Sequence, residues 1–250
     1  MSNLFLSAKL SKKSNPELVE SLRNKLDIFV NDQFNTPEFV ALLSSPLSME
    51  SARWFAMQTY FYTMNRRDCW AYVQARAPLD VKQAIWHHEQ DELIHDQRGG
   101  ADHITLTLKE ATVLGLKAED VAASEPPPMV RAALYAWIHI ASTLPWLASL
   151  TASHILERRN NSAIVKGGGM SKRWREKLVR ELGIKADTLI SSNVHVVADM
   201  EHSDIIWDAI ARHVLDEVAY NQVLEGTQES LAIDRAYRGA LAYGIRQVAA

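Results

Sequence analysis

The stretch "AALYAWIHIASTLPWLASLTASHIL", Ala132 to Leu156, carries no Asp, Glu, Lys or Arg. Its length alone would let a helix cross a bilayer, which takes about 20 apolar residues. It also holds His139, Pro145, His154 and several Ser and Thr, and the chain has no second segment like it. That polar content makes it the buried central helix of a water-soluble protein, bent at Pro145.

The surrounding composition agrees. The 250 residues are 47% hydrophobic and 23% charged, enough apolar mass for a proper core. A net charge of −3 and a pI near 6.3 leave no basic footprint for nucleic acid. The short basic clusters Lys12-Lys13, Arg66-Arg67, Arg158-Arg159 and Lys172 to Lys177 read as solvated helix ends. Cys69 is the single cysteine, so no intramolecular disulfide can form and a reducing compartment is expected. The opening "MSNLFLSAKLSKKS" lacks a secretory signal, because its apolar run Leu4-Phe5-Leu6 is too short. The expectation is a cytoplasmic protein with no membrane or nucleic-acid partner.

Glycine is scarce, at 10, and no run alternates cleanly between turn dipeptides, so no sheet is expected. Helical spacing appears instead. In "NPELVESLRNKLDIFVNDQF", Asn15 is an N-cap, Pro16 takes the first helical position, and Leu18, Leu22, Leu26, Phe29 and Val30 share a face. Ser48 opens a helix that meets no Gly or Pro before Pro78, and Asp80 opens the next. "DHITLTLKEATVLGL" ends at Gly115, and Pro126 to Pro128 lead into the uncharged helix. "KGGGMSK" is a loop before "SKRWREKLVREL", followed by a helix from about Asp187 to Val214 and a last one beyond Asp216. The predicted fold is all-α, one helical domain over residues 1–250 with about seven or eight helices, residues 1–14 being flexible.

Three segments carry candidate metal ligands. In "SSNVHVVADMEHSDIIWDAI", at ~100° per residue, His195, Asp199 and His202 fall within about 60° of one another. Their neighbours Val196, Val197, Met200, Ile205 and Ile206 are apolar, so this stripe is not simply a wet face. In "DELIHDQRGGADH", Asp91 to His103, a continuous helix would place His88, Glu92, His95 and Asp96 on one face. His103 would join them if the helix ran through Gly99-Gly100. Glu92-x2-His95 is the carboxylate–imidazole spacing of helical di-iron sites. Glu157, with His154 three residues earlier, either pairs with Arg158 or Arg159 or reaches into the core. Each segment alone has an ordinary explanation as polar surface or helix cap. Together they offer about six nitrogen and oxygen ligands and no thiolate, which suits two carboxylate-bridged iron or manganese ions better than one zinc.

These motifs resemble the heme-oxygenase-like superfamily, which holds thiaminase II, the final oxidase of pyrroloquinoline quinone synthesis and the heme-oxygenase-like di-iron oxidases. The resemblance covers nearly the whole chain. "WFAMQTYFYTMNRRDCWAYVQARAP" resembles the helix after the family's N-terminal region, and "HVVADMEH" matches the third ligand motif of the di-iron branch. The Glu157 helix stands where that branch has its lone glutamate. "ELIH" resembles the Glu-x2-His of the undecene-forming fatty-acid decarboxylase. One departure concerns a Glu and a His that many members separate by six residues; here ten residues separate Glu92 from His103, and Asp96 has the six-residue spacing. The metal set implied is Glu92, Glu157, His195, Asp199 and His202 with either His95 or His103, His95 being slightly preferred because it needs no bridging of the Gly-Gly break.

The resemblance implies two Fe(II) ions, O2 as co-substrate and oxidation of a small organic substrate of amino-acid, amine or fatty-acid type. It also implies a homodimer, since members of the fold are often dimers. The rival readings are a cofactorless oxidase of the same fold and a non-catalytic helical interaction protein. A thiaminase activity would rest on Cys69, which lies outside the resembling motif. Trp137, Ile138, Trp146, Leu150, Tyr60 and Tyr62 are candidates for a substrate pocket or ordinary core. No Gly-x-Ser-x-Gly elbow and no phosphate-loop spacing is present.

Overall fold

Asn15 accepts hydrogen bonds from the backbone N–H groups of Glu17 and Leu18 and so starts α1 (Pro16–Gln33), as its sequence predicts. This computed structural model describes residues 14–249, so the expected flexibility of the N-terminus falls almost wholly outside the described residues. A short α2 (Pro37–Ser44) follows. Ser48 and Ser51 cap each other reciprocally at the head of α3 (Met49–Arg76). Then come α4 (Leu79–Glu89), a π-helical turn over Gln90–Ile94, α5 (His103–Val113) and α6 (Ala118–Ala123). The second half holds α7 (Pro128–Thr143), α8 (Trp146–Asn160), α9 (Met170–Leu182), α10 (Ile190–Ala211) and α11 (Glu217–Ala249). The fold is all-α, with eleven α-helices among the described residues rather than seven or eight, and no strand beyond an isolated bridge between Asp96 and Ala101.

Part of the higher count comes from the uncharged stretch itself. It breaks into two helices at Leu144 and does not merely bend. A proline disfavours helical geometry in the residue before it. Leu144 is accordingly extended, at ψ 158°, and Pro145 stands outside the start of α8. Arg76 of α3 satisfies the carbonyls at the break, donating to Ala141 and Leu144 O and to Ser149 Oγ. Every residue of α8 from Leu147 to Arg159 is buried. A helix covered on all sides needs no charged face, and α8 packs against α11, α10, α7 and α3. Among the described residues no helix is long and apolar enough to cross a membrane.

Close approach tightens this arrangement. A Cβ on Gly226 of α11 would stand 2.0 Å from the Ala148 carbonyl oxygen, so only glycine lets α11 lie this near α8. The core runs through Leu22, Leu26, Trp70, Ile85, Trp137, Leu150, Ile155, Ile206 and Tyr237. It leaves a polar seam between α3, α4, α5, α8 and α10.

Candidate metal centre

The seam is built where the chain leaves α4. The N–H of His95 donates to Gln90 O at 2.9 Å, the i to i+5 bond of a π turn. This wider turn ends the α-helical spacing expected across His88 to Asp96. Glu92 is buried, while His95 is extended at φ −169° and exposed. The chain then reverses through Gly99 and Gly100. Gly100 takes a left-handed φ of 67°, and the Asp96–Ala101 bridge closes the loop. Asp102 caps α5 through Thr105 N–H at 2.8 Å. This reversal brings His103, the first residue of α5, to Glu92, with Nδ1 and Oε1 3.0 Å apart.

Two overlapping groups result. Ligand atoms of His88, Glu92, Glu157 and His202 lie within 4.8 Å of one another, and so do those of Glu92, His103 and His195. Glu92 belongs to both. His88 and His202 face each other with ring centroids 4.4 Å apart, as do His103 and His195. Asp199 is outside both groups at that radius, but it is fully buried on α10 between His195 and His202, and neither of its oxygens has a hydrogen-bond partner.

Each imidazole has its outer nitrogen tied down. His103 Nε2 bonds Asp96 at 2.9 Å, and His202 Nε2 bonds Asp91 at 3.1 Å. His88 Nδ1 bonds Glu89 at 2.9 Å, and His195 Nδ1 donates to Ser191 O at 2.8 Å. The inner nitrogens of His88, His103 and His202 make no aligned hydrogen bond despite their burial, although carboxylate oxygens stand near them. Metal-binding histidines are oriented in this way by acceptors behind them. A buried polar atom left without a partner is costly, and a cation between these nitrogens and carboxylates would satisfy them all.

The electrostatics point the same way. Burial, reinforced by Glu157, holds the Asp199 carboxyl well above its ordinary range. Burial and Glu92 likewise raise Glu157. Burial pushes Glu89 up to about 7, against the pull of Arg67. Burial opposes charge on His202, but hydrogen bonds to Asp91 and Glu92 raise it to about 10. His103 is raised to about 9, because Glu92 outweighs burial. His195 falls to about 4 through burial and the neighbouring His103, and His88 lies well below its usual value through burial and His202. Raised carboxyls and raised imidazoles side by side mark a buried cluster of acids that draws positive charge in, here as protons. Mixed imidazole and carboxylate donors without thiolate fit iron or manganese.

The structure brings together Glu92, His103, Glu157, His195 and His202, with Asp199 beside them, and leaves His95 in solvent. His88 shared the Glu92 face in the sequence without being counted among the ligands; its interval of four residues was the available signal. The basic pairs are a correction. Arg66, Arg67, Arg158 and Arg159 are all buried rather than solvated, because acids distant in sequence meet three of them: Glu89 and Glu92 at Arg67, Asp27 at Arg158, Asp234 at Arg159. Of the pocket candidates, only Tyr62 lines the cavity beside His195. Trp137 and Leu150 are core, and Ile138 and Trp146 pack against it. Cys69 is fully buried, and burial pushes its thiol up, away from nucleophilic character.

Comparison with known proteins adds a family. The profile of the family described as "Iron-containing redox enzyme" matches residues 53–235. No curated protein matches the chain. A heme oxygenase-like domain of unknown function from Shewanella denitrificans superposes with TM-score 0.72 at 16% identity, covering 93% of this chain and 96% of that one. A CADD-like protein of unknown function from Nostoc punctiforme gives TM-score 0.73 at 15% identity, covering 90% and 97%. A TenA homologue from P. horikoshii gives 0.58 at 18% identity, covering 89% and 99%. At these identities the likeness is one of fold.

Proposed function

Because the chain belongs to the family of iron-containing redox enzymes, we propose that it is an O2-activating oxidase or oxygenase with a non-heme di-iron centre. The observation that carries this reading is the pair of ligand groups sharing Glu92, with the outer nitrogen of every imidazole already held by an acceptor. His103 and His195 would hold one ion and His88, Glu157 and His202 the other, with Glu92 common to both groups and Asp199 adjoining. When bound, the two Fe(II) ions supply the electrons that activate O2 for removing hydrogen from, or adding oxygen to, a small organic substrate.

The chain's own groups set the conditions for that chemistry. Asp91, Asp96, Glu89 and the Ser191 carbonyl fix which nitrogen of each ring faces inward. Arg67 holds Glu92 and Glu89 in place from α3. Burial of His88, His103, Glu92, Asp199 and His202 excludes bulk water.

Anaerobic reconstitution with ferrous iron tests this directly. The expected result is two irons per chain and a new optical absorption when O2 is admitted. Near-zero iron, or a spectrum that O2 leaves unchanged, would overturn the reading.

A further inference from the structure

A cavity of ≈ 120 Å³ lies beside the ligand groups, with His195 in its wall. Its apolar side is built by Phe55 of α3 stacked on Trp174 of α9, ring centroids 3.6 Å apart, with Leu114 and Leu178 also lining the space. Its polar side holds Tyr62, Arg159 and Arg238, from α3, α8 and α11.

The two arginines differ in what they have left to give. Each nitrogen of Arg159 already faces a partner: Nε lies 2.8 Å from Asp234, Nη1 donates to Asn160, and Nη2 donates to the Tyr62 hydroxyl. Arg238 donates through Nε to Asp234 at 3.0 Å, and its two terminal nitrogens make no hydrogen bond among the described residues. Its guanidinium carbon stands 5.6 Å from the Tyr62 ring centroid. Tyr62 accepts from Arg159, so its own O–H remains free to donate. Asp234 is fully buried and meets both guanidinium groups, which leaves one positive charge in excess at this wall. A buried charge without a full partner is costly. Glu110 also lines the cavity, but its oxygens already accept from the Ser192 N–H and hydroxyl, at 2.7 and 2.6 Å.

The geometry points to a substrate with a carboxylate and an apolar, aromatic-sized body. The carboxylate is received by the terminal nitrogens of Arg238 and the hydroxyl of Tyr62, the body lies along Phe55 and Trp174, and the molecule extends toward His195. A planar guanidinium fork matches a carboxylate in two parallel bonds. The anion supplies the charge that Asp234 alone does not. This inference rests on the di-iron reading for what happens to the substrate, not for how it is held.

The test compares 3-phenylpropanoate with its neutral amide, by calorimetric titration into the full chain, iron-free and iron-loaded. The carboxylate is expected to bind at least about tenfold tighter than the amide, since hydrogen bonds to charged groups are worth about that ratio or more. Arg238→Gln is expected to abolish the preference, carboxylate affinity falling at least about tenfold and amide affinity by much less, and Tyr62→Phe to reduce it. Arg238 is buried and the variant must be shown to melt cooperatively; if it does not fold, the wild-type comparison and Tyr62→Phe decide. Equal binding of the two probes, no binding of either at millimolar concentration, or a preference that survives in folded Arg238→Gln would overturn the inference. Iron binding without carboxylate preference removes this inference alone. Carboxylate preference without iron binding removes the di-iron reading alone.

Discussion

Arg67 Nη1 lies 2.7 Å from Glu92 Oε2, which leaves Glu92 Oε1 facing the inner nitrogens of His103 and His202 at 3.0 and 3.4 Å. One carboxylate thus serves a structural cation with one oxygen and the ligand groups with the other. Burial works against the charge on Glu92, but Arg67 and His103 hold its carboxyl well below the usual range. Removing Arg67 strands Glu92 and Glu89 together. Arg67→Met is expected to destabilise the iron-free protein by about 3 kcal/mol or more, the scale for breaking a buried pair. Urea titration measures this, and iron loading should return part of the loss because the metal supplies the missing charge.

The two candidate histidines separate cleanly. His103 is fully buried against Glu92 and Asp96, whereas His95 is exposed. His103→Ala should cost iron, read as metal per chain after anaerobic loading, and His95→Ala should leave the count unchanged. Iron lost equally in both variants would contradict the arrangement.

The acceptors behind the rings should matter nearly as much as the ligands. Asp96→Asn and Asp91→Asn keep the shape of each side chain but weaken the hold on His103 and His202. The expected effect is a loss of about 10–100-fold in iron affinity, by competition against a chelator, with little change in thermal stability.

His154 gives the fold an acid weakness apart from metal loading. It is fully buried and bonds the Ser203 carbonyl, and burial, followed by the nearby Arg158, lowers it to about 3 from an ordinary 6.5. The folded protein therefore holds a neutral imidazole that would take a proton once unfolded. Its stabilising effect is present above pH 6.5 and is lost as the pH falls from there toward about 3. Iron-free protein should lose about 2 kcal/mol from this group between pH 7 and pH 5. His154→Gln, which keeps a donor for Ser203, should flatten that part of the stability profile.

Gly226→Ala tests the α8–α11 approach. The added methyl would meet the Ala148 carbonyl oxygen at 2.0 Å, and backbone cannot swing aside as a long side chain does. The expected cost is about 1–3 kcal/mol, the range for overpacking, read by urea titration.

The all-α class and most helix starts were legible because local chemistry decides them. Asn15 and Ser48 cap their helices in place, and a regular α10 sets His195, Asp199 and His202 on one face. The same local reading failed where partners come from far along the chain. Nothing near Arg67 or Arg159 in sequence announces their burial; Glu92 and Asp234 belong to other elements of the fold. The contact of Glu92 with His103 depends on two departures from regular helix, a π turn and a glycine reversal, and helical spacing is blind to both. For the same reason helical spacing sets the buried His88 on the Glu92 face without marking it as one side of the centre.

The π turn at Gln90–Ile94 has a consequence for finding relatives. A π turn accommodates extra backbone without dismantling the helix around it, so the interval between the first carboxylate and the histidine opening α5 is free to drift in length while the two side chains still meet in space. Searches that demand one fixed interval between those letters will pass over chains built like this one. The more reliable mark is the α10 face of His195, Asp199 and His202, where a regular helix leaves no room for such slippage.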